Sequence, residues 1–399
     1  MSEERYLEVA NRMHLLHISP AAPGVMYWQP AGLRLYENLR KYIRGVHRRH
    51  SYQEVKSPSL VGLELFDRSG HLGKYRDLMF LANQNNNPDQ APDLHAYGLR
   101  PMSCPNHIEL YQSARRSYRE LPMQLFEFGE VFRNEMSGSL QVLFRQRQFC
   151  QDDSHVFAME EQVSDVVVNY LAMSAQVYKD LGFESVEFAI SLRPEMRHGS
   201  DELWDRAEES LRNACRRAGV VWKEEAGGGA FYGPKVEMGV RDKLGRVWQM
   251  GVIQLDYVLP QRFDMRYQAS SGEYEVPVIL HHAVLGSMER MIGILLEIHG
   301  ENLPDFLHPY PAVILPVSEK SADYAREALA KLQVHCQDAV VDDSNDSLGA
   351  RLRLWRSRGA ARILVVGEQE AQRFADSGEA WAMLSEGRAQ KPVRLDQPG

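Results

Sequence analysis

The sequence is poor in cysteine and has no long apolar run, and each absence narrows the class of protein. Its 399 residues contain only four cysteines, all widely spaced. They form no disulfide framework, so we expect a protein of a reducing compartment, the cytoplasm. No stretch approaches the roughly 18 uninterrupted apolar residues of a membrane helix, and the first residues lack the apolar core of a signal peptide. We therefore expect no membrane partner.

An excess of positive charge is also lacking. The chain has 46 lysines and arginines against 54 aspartates and glutamates, for a net charge of −8. This balance argues against a protein built mainly to coat nucleic acid, although a local basic surface remains compatible with it. What is present, 44% hydrophobic and 25% charged residues, is typical of a globular protein. The length favours two domains over one.

Strand and helix patterns predict an α+β fold for the first three quarters of the chain. Residues 32–48 carry apolar side chains at helical spacing, and residues 160–182 do the same. Residues 125–135 and 144–157 are extended and are joined across a Ser-Gly-Ser turn, and residues 230–259 alternate in the manner of a strand pair. We therefore predict paired antiparallel strands with helices outside.

The pattern changes after the segment LPDFLHPYP, which has three prolines in nine residues. Beyond it the elements alternate as β, α, β, α, β, which predicts a small parallel-sheet domain. We place the domains at residues 1–306 and 307–399. The polar run QNNNPDQAPD, residues 84–93, predicts a surface loop.

Polar side chains gather on the predicted strand pair. Because strand side chains alternate, Arg133 and Glu135 are expected on one face, and Gln151, Asp153 and His155 on one face. A cation, carboxylates, an amide and an imidazole beside phenylalanines are unusual for a purely structural surface. A solvated antiparallel face gives the same pattern, so both interpretations stay open here.

Two further groups indicate chemistry only weakly by themselves. Cys104, His155 and His281 offer one thiol and two imidazoles, which suit Zn²⁺ and leave a ligand position for substrate. Fourteen histidines allow many such triplets, and a buried Cys or His more often packs in a core. Arg290 lies in the first turn of an apolar helix, where a surface arginine covering that helix is the simpler alternative.

Taken together, these segments resemble the three motifs of class II aminoacyl-tRNA synthetases. GVMYWQPAGLRLYENLR with YQEVKSP is similar to motif 1, FRNEMSGSLQVLFRQRQFCQDDSH to motif 2, and LGSMERMIGIL to motif 3. The threonyl-tRNA synthetase family is further resembled, in order and spacing, by SGHLGKYRDLMF, MSCPNH, RPEMRHGSDELWDRAEESL, GAFYGPKVE and WQMGVIQLDY. The resemblance implies a class II antiparallel sheet flanked by helices, followed by a small anticodon-binding-like α/β domain.

The resemblance implies a site for ATP with Mg²⁺ that is rich in arginine. Arg133 matches the motif 2 arginine on the α-phosphate, Arg290 the motif 3 arginine beside adenine and the γ-phosphate, and Arg145 a second phosphate-side arginine. A planar, permanently charged guanidinium suits the charge that builds on the α-phosphate. The other implied ATP-binding positions are Glu135, Phe149 and Gln249.

The resemblance also implies one Zn²⁺ per subunit, held by Cys104, His155 and His281, with the amine and hydroxyl of the amino acid completing the metal sphere. An apolar pocket separates near-isosteres by only about 1–3 kcal/mol, whereas a required hydroxyl ligand rejects valine. The implied amino-acid-binding positions are Met102, Gln151, Asp153, Tyr232 and Gln249.

Two more catalytic positions and the partners follow from the same resemblance. His71 matches a histidine that assists acyl transfer, a task suited to an unperturbed pKa of about 6.5. Lys235 is expected near the amino-acid carboxylate. Motif 1 with Pro58 implies a homodimer. The remaining implied partners are ATP, threonine or a similar β-hydroxy amino acid, and tRNA(Thr).

Several features depart from the family pattern. The chain is expected to start directly at the catalytic domain, without an editing domain before it. Positions where the family usually has another residue are Ser103, Asn106, Met250, Val252, His282, Ser344 and Met383. The main expectation is ATP-dependent activation of threonine and its transfer to the 3'-terminal adenosine of tRNA(Thr). The alternatives are a paralogue that serves a carrier protein, an inhibitor-resistant duplicate, and a non-catalytic module that keeps the fold.

Overall fold

The computed structural model describes residues 5–82, 97–242, 245–386 and 389–397. The chain forms two compact units, which consist of Met1–Ser19, Met26–Lys41 and Leu295–Gly399, and of Pro20–Val25 and Tyr42–Ile294. The boundary between residues 306 and 307 stays a prediction. The loop predicted at residues 84–93 lies outside the described residues. No described helix is both long enough and apolar enough to span a membrane.

Twelve α-helices occur in the described parts of the chain. They are α1 (Arg5–Arg12), α2 (Pro30–Arg49), α3 (Leu63–Arg68), α4 (His71–Tyr75), α5 (Cys104–Gln112), α6 (Val163–Asp180), α7 (Asp201–Ala218), α8 (Leu259–Arg262), α9 (Met288–His299), α10 (Ala322–Gln333), α11 (Leu348–Ser357) and α12 (Glu368–Ser377).

The strands of the same ranges are β1 (Leu16–Ile18), β2 (Met26–Trp28), β3 (Gln53–Glu54), β4 (Leu60–Gly62), β5 (Leu81–Ala82), β6 (Tyr97–Leu99), β7 (Met123–Phe132), β8 (Gln148–Ala158), β9 (Val186–Ser191), β10 (Trp222–Glu225), β11 (Lys235–Arg241), β12 (Val247–Asp256), β13 (Tyr267–Gln268), β14 (Tyr274–Glu275), β15 (Val278–Ala283), β16 (Val313–Pro316), β17 (Val340–Val341), β18 (Ile363–Val366), β19 (Trp381–Glu386) and β20 (Ala389–Arg394).

An eight-stranded sheet forms the centre of the larger unit. Its order is β10-β9-β11-β12-β15-β8-β7-β3, and its neighbours pair antiparallel except at the two outer pairs, β10 with β9 and β3 with β7. The predicted pairing of the two polar strands is confirmed, because β7 and β8 pair from Met123 opposite Phe157 to Phe132 opposite Gln148. The predicted α+β class is confirmed with it.

Helix α6 fixes the strands that lead into the centre of this sheet. The hydroxyl of Tyr170 donates to the carbonyl of Ala283 at 2.9 Å, and the hydroxyl of Tyr178 donates to that of Val284 at 2.7 Å. The Tyr178 hydroxyl also accepts from the amide of Gly251 at 2.9 Å. Both tyrosines are buried, so one helix holds β12 and the end of β15 in fixed relation.

The predicted strand through YQEVKSP is shorter than expected, since β3 covers only Gln53–Glu54. The amide of Val55 still donates to a β7 carbonyl at 2.9 Å. The amide of Ser57, however, donates to the carboxylate of Glu127 at 2.9 Å, and Pro58 has no N–H. Pairing therefore stops because a side-chain carboxylate takes the Ser57 N–H in place of a backbone carbonyl, and Pro58 has no N–H to donate.

The second sheet belongs to the smaller unit and has the order β17-β16-β18-β19-β20. The first three strands are parallel, as the β, α, β, α, β pattern predicts, and β19 and β20 add an antiparallel hairpin. Along β16, Ile314 packs in one apolar cluster with α10, whereas Val313 and Leu315 pack in another with Trp355 of α11. Both faces of the parallel strands are therefore covered by helices.

Candidate active site

A pocket of about 320 Å³ opens on the face of the eight-stranded sheet, beside the first residue of α5. The predicted site residues that line it are Met102, Cys104, Arg133, Gln151, Asp153, Tyr232, Lys235 and His281. Gln151 and Asp153 reach it together because they alternate along β8, as the sequence pattern predicts. The structure thus gathers residues that are widely separated in sequence around one cavity.

Three possible metal ligands meet at this pocket. His155 of β8 and His281 of β15 are opposite each other in the sheet, with ring centroids 4.7 Å apart. Cys104 begins α5, and one ligand atom from each of the three residues lies within 4.8 Å of the others. All three side chains are buried. The triplet that spacing alone indicated weakly is therefore a compact cluster.

The hydrogen bonds of the two imidazoles fit a metal between them. His281 Nε2 donates to Asp256 Oδ2 at 2.9 Å, and His155 Nδ1 lies 2.8 Å from His107 Nδ1. The other nitrogens, His281 Nδ1 and His155 Nε2, are buried and have no hydrogen-bond partner in the described structure. Each ring thus has one nitrogen oriented by a neighbour and one left for a ligand bond, as a zinc-binding histidine requires.

The electrostatics of the cluster also favour a cation. Burial raises the pKa of the Cys104 thiol, and the nearby carboxylates of Asp153 and Asp256 raise it further. Burial raises the pKa of Asp153 as well, and it lowers the pKa of His155. A divalent cation stabilises a thiolate and a buried carboxylate and binds a neutral imidazole. The donor set therefore fits Zn²⁺.

Arginines supply positive charge beside this cluster. Arg133 lines the pocket, and its guanidinium carbon lies 5.1 Å from the centre of the Phe149 ring. Arg290 donates through Nε and Nη2 to the carbonyl of Phe144, at 3.2 and 3.0 Å, and through Nη1 to that of Gln249 at 3.3 Å. Burial lowers the pKa of Arg290, and the charges of other arginines lower it further. Such a concentration of guanidinium groups suits a phosphate chain.

The loop after β7 carries the other predicted nucleotide residues. Because β7 ends at Phe132, the strand argument for Arg133 and Glu135 does not apply, and both residues lie in the connection to β8. The Arg133 amide donates to the carbonyl of Arg147 at 2.8 Å, which extends the hairpin. Glu135 accepts from Arg145 at 3.0 Å, with the arginine side chain half-exposed. This ion pair leaves the arginine partly accessible to solvent.

Comparisons with known proteins agree with this geometry. Residues 89–299 match the family described as tRNA synthetase class II core domain (G, H, P, S and T), and residues 311–376 match an anticodon binding domain. The chain is 35% identical to the solved RNA binding domain of threonyl-tRNA synthetase from Cryptosporidium parvum Iowa II, with a TM-score of 0.90 over 98% of this chain and 96% of that one. The chain belongs to the threonyl-tRNA synthetase family.

Curated relatives in this family include the threonine–tRNA ligases of Methylococcus capsulatus and Alkalilimnicola ehrlichii. Both are 40% identical, over 365 and 364 residues, which cover 92% and 91% of this chain. The aligned part is 56% of each relative. The chain thus spans about half the length of the curated relatives that it matches.

Two predicted positions of this synthetase-family chain, His71 and Gln249, make contacts elsewhere and do not line the pocket, and the other predicted residues absent from its lining are Glu135, Arg145, Phe149, His155 and Arg290. His71 is buried, with Nδ1 2.7 Å from the hydroxyl of Ser69 and its ring 6.4 Å from that of Phe231. Gln249 is exposed, its side-chain amide donates to Glu237, and it lines a second groove of about 250 Å³. The structure therefore does not bring these two side chains into the pocket that Cys104 and His281 line.

One polar side chain of the pocket, that of Gln254, was not predicted from the sequence. Gln254 lines it and accepts a hydrogen bond from the hydroxyl of Tyr232 at 2.6 Å. The available signal was the two-residue period of β12, in which Val252, Gln254 and Asp256 share a side and the first two line the pocket. The oriented carboxylate of Asp256 and the imidazole of His107 were also missed.

Proposed function

We propose that the chain activates threonine with ATP and transfers the threonyl group to the 3'-terminal adenosine of tRNA(Thr). The observation that carries the proposal is the meeting of Cys104, His155 and His281 in a pocket that also holds Arg133 and Lys235. A single metal ion held by these three residues would recognise a hydroxylated amino acid. The cationic side chains beside it would hold the carboxylate and the α-phosphate at reacting distance.

In this proposal the cluster holds one Zn²⁺, which supplies a Lewis-acidic position for the amine and hydroxyl of threonine. The protein residues give the rest of the recognition. Asp153 accepts from the substrate hydroxyl, and Gln151 and Tyr232 orient the amino acid. Gln254 holds the Tyr232 hydroxyl in place at 2.6 Å. Because an unpaired buried acceptor is costly, this arrangement selects against valine, which lacks the hydroxyl.

The nucleotide side of the proposal assigns ATP and Mg²⁺ to the arginine-rich rim. The threonine carboxylate attacks the α-phosphorus and pyrophosphate leaves, so negative charge builds on the α-phosphate oxygens. Arg133 and Arg290 stabilise that charge. Arg145 binds the outer phosphates. The adenine positions are Glu135 and Phe149, and Gln249 is a further proposed ATP-binding position.

For the transfer step we propose that His71 assists the attack of the terminal adenosine. Its ring is buried, so this role requires the segment that follows Gly70 to open when the acceptor end binds. Gly70 has a left-handed φ of 80°, and such positions suit a change of chain direction. We further propose a homodimer through motif 1 and a cytoplasmic location.

A direct test is ATP–pyrophosphate exchange with each of the twenty amino acids, together with zinc analysis. We expect threonine to give the highest exchange, and Cys104→Ser to lose zinc and exchange together, because a thiolate ligand is removed. Exchange that threonine fails to stimulate would remove the proposal. Exchange that survives in a zinc-free Cys104→Ser protein would remove the metal assignment alone.

A second candidate is a paralogue that activates threonine or a related small amino acid for another acceptor, such as a carrier protein, or that acts as an inhibitor-resistant duplicate. It is favoured by Val252, which lines the pocket where the family motif has threonine, and by Ser344 and Met383 in the smaller unit. Anticodon-dependent charging of tRNA(Thr) supports the first proposal. Strong amino-acid activation without charging supports the second.

A further inference from the structure

Helix α5 carries a thiol and an imidazole, those of Cys104 and His107, on the same face. Cys104 is its first residue and His107 follows three positions later, a spacing that puts both on the same side of a helix. Both are buried. Pro105, at the start of the helix, costs no hydrogen bond there. The helix that supplies the candidate thiolate ligand therefore also supplies an imidazole to the surroundings of the metal cluster.

His107 connects a candidate ligand to a buried carboxylate. Its Nδ1 lies 2.8 Å from His155 Nδ1, and its Nε2 lies 3.5 Å from Glu127 Oε1. The rings of His107 and His155 meet edge-on, with centroids 4.6 Å apart. The carboxylate, the first imidazole and the second imidazole thus form a continuous buried row that ends at the cluster.

Glu127 is held in place and kept charged. It accepts from the amide and the hydroxyl of Ser57, at 2.9 and 2.8 Å, and from Arg100 Nη1 at 2.6 Å. Although burial opposes the charged form, the contact with His107 and the charge of Arg100 lower the pKa of Glu127 to about 2. A fixed negative charge therefore faces Nε2 of His107.

The charge of Glu127, 3.5 Å from His107 Nε2, favours one arrangement of protons on the two rings. A carboxylate beside His107 Nε2 favours the tautomer that is protonated at Nε2, which leaves Nδ1 as an acceptor. His155 must then carry its proton on Nδ1 to complete the 2.8 Å bond. Its Nε2, which has no hydrogen-bond partner among the residues that the structure describes, is left with a free lone pair. This is the tautomer that a metal requires.

We propose that His107 and Glu127 are positioning residues for the metal site, which act by fixing the tautomer and orientation of the ligand His155. This inference rests on the proposed function, because it presupposes that the cluster binds zinc. Neither residue touches substrate, and the role is separate from that of Asp256, which orients the other imidazole. Loss of such an outer partner typically weakens metal affinity about 10–100-fold.

The test compares four forms of the 399-residue chain: wild type, His107→Leu, His107→Asn and His47→Leu. Leucine removes the acceptor for His155, whereas an asparagine side chain can keep an oxygen near the position of Nδ1. His47 is a matched control because it is also a fully buried histidine, bonded instead to the carbonyl of Ile43 and the hydroxyl of Ser154. Zinc affinity is measured by competition with a chromophoric chelator, and the Co²⁺-substituted proteins give visible spectra.

We expect His107→Leu to bind zinc about 10–100-fold more weakly than wild type and to shift the Co²⁺ bands. His107→Asn should recover most of the affinity, and His47→Leu should keep it while lowering the melting temperature. Unchanged affinity and spectrum in His107→Leu would overturn the positioning role and leave the zinc assignment intact, as would an equal loss in His47→Leu. A wild-type chain that binds no zinc would instead overturn the proposed function, and this inference with it.

Discussion

Replacement of Arg290 by alanine is the most demanding test of the nucleotide side of the site. The guanidinium bridges two carbonyls, those of Phe144 in the loop before β8 and of Gln249 in β12, with distances between 3.0 and 3.3 Å. It is partly buried, and neighbouring arginines add to the positive charge at this point. The side chain is therefore fixed before any substrate arrives, which is the condition for strong electrostatic stabilisation.

The expected loss in kcat follows from the proposed role of the Arg290 guanidinium, which is to stabilise the negative charge that develops on the α-phosphate. Removal of one preorganised donor to developing negative charge costs about 2.7–4 kcal/mol, or about 10²–10³ in kcat. Arg290→Lys keeps a charge but loses the planar fork that reaches both carbonyls, so it should regain only part of the activity. The effect should appear in exchange kinetics and in the KM for ATP. Zinc content should be unchanged, because Arg290 is hydrogen-bonded to neither the metal ligands nor their partners.

The assay is threonine-dependent ATP–pyrophosphate exchange with wild type, Arg290→Ala and Arg290→Lys, each analysed for zinc and for melting temperature. A loss in kcat/KM below about tenfold in the alanine variant, or about 1.4 kcal/mol, would refute the assignment of Arg290 to the transition state. Parallel loss of zinc would also refute it, since the effect would then be structural.

Three further outcomes can be checked. Gly233→Ala should lower kcat/KM for threonine about 100-fold at unchanged zinc content, because a Cβ would lie 1.6 Å from the carbonyl oxygen of Leu255 and must displace the pocket loop. Asp256→Asn should weaken zinc binding about 10–100-fold in chelator competition, because the Asp256 carboxylate orients the His281 ring. Burial lowers the pKa of His47 from 6.5 to about 4. As the pH falls, His47 is therefore protonated in the unfolded state before it is protonated in the folded state. As the pH is lowered from 6.5 to 4, protonation of His47 should therefore reduce the free energy of unfolding by up to about 3 kcal/mol. In His47→Phe, the free energy of unfolding measured by denaturation should change less over this pH range.

Much of the fold could be predicted because strand and helix periods are local properties. The β7–β8 pair, the helix that became α6 and the alternating elements after residue 312 all follow from side-chain periodicity. The short β3 could not be predicted in the same way. Its end depends on a donor from Ser57 meeting the carboxylate of Glu127, 70 residues away in sequence. The hairpin of β19 and β20 was missed as well.

Some residues of the site could be predicted from the sequence, and others could not. Cys104, His155 and His281 could be proposed because the family motifs carry them, and their convergence needs only the antiparallel pairing of β8 with β15 and the start of α5. Strand and helix periods place Asp256 and His107 on the corresponding faces of β12 and α5, but neither pattern predicts their contacts with the ligand imidazoles. Those contacts depend on which ring nitrogen faces which neighbour, and this orientation is decided by packing in three dimensions.

The contacts that orient His155 and His281 also bear on the proposed selectivity for the amino acid. The imidazoles of His155 and His281 are carried by strands in the middle of an eight-stranded sheet, and their outer nitrogens are occupied by His107 and Asp256. A cluster restrained in this way cannot adjust its geometry to a poor ligand. In the proposed function, an amino acid without a hydroxyl would therefore lose both its contact with the proposed zinc and its hydrogen bond to Asp153. Under that proposal, selection against valine is the sum of two unmet polar contacts, which an apolar pocket of the same shape could not provide.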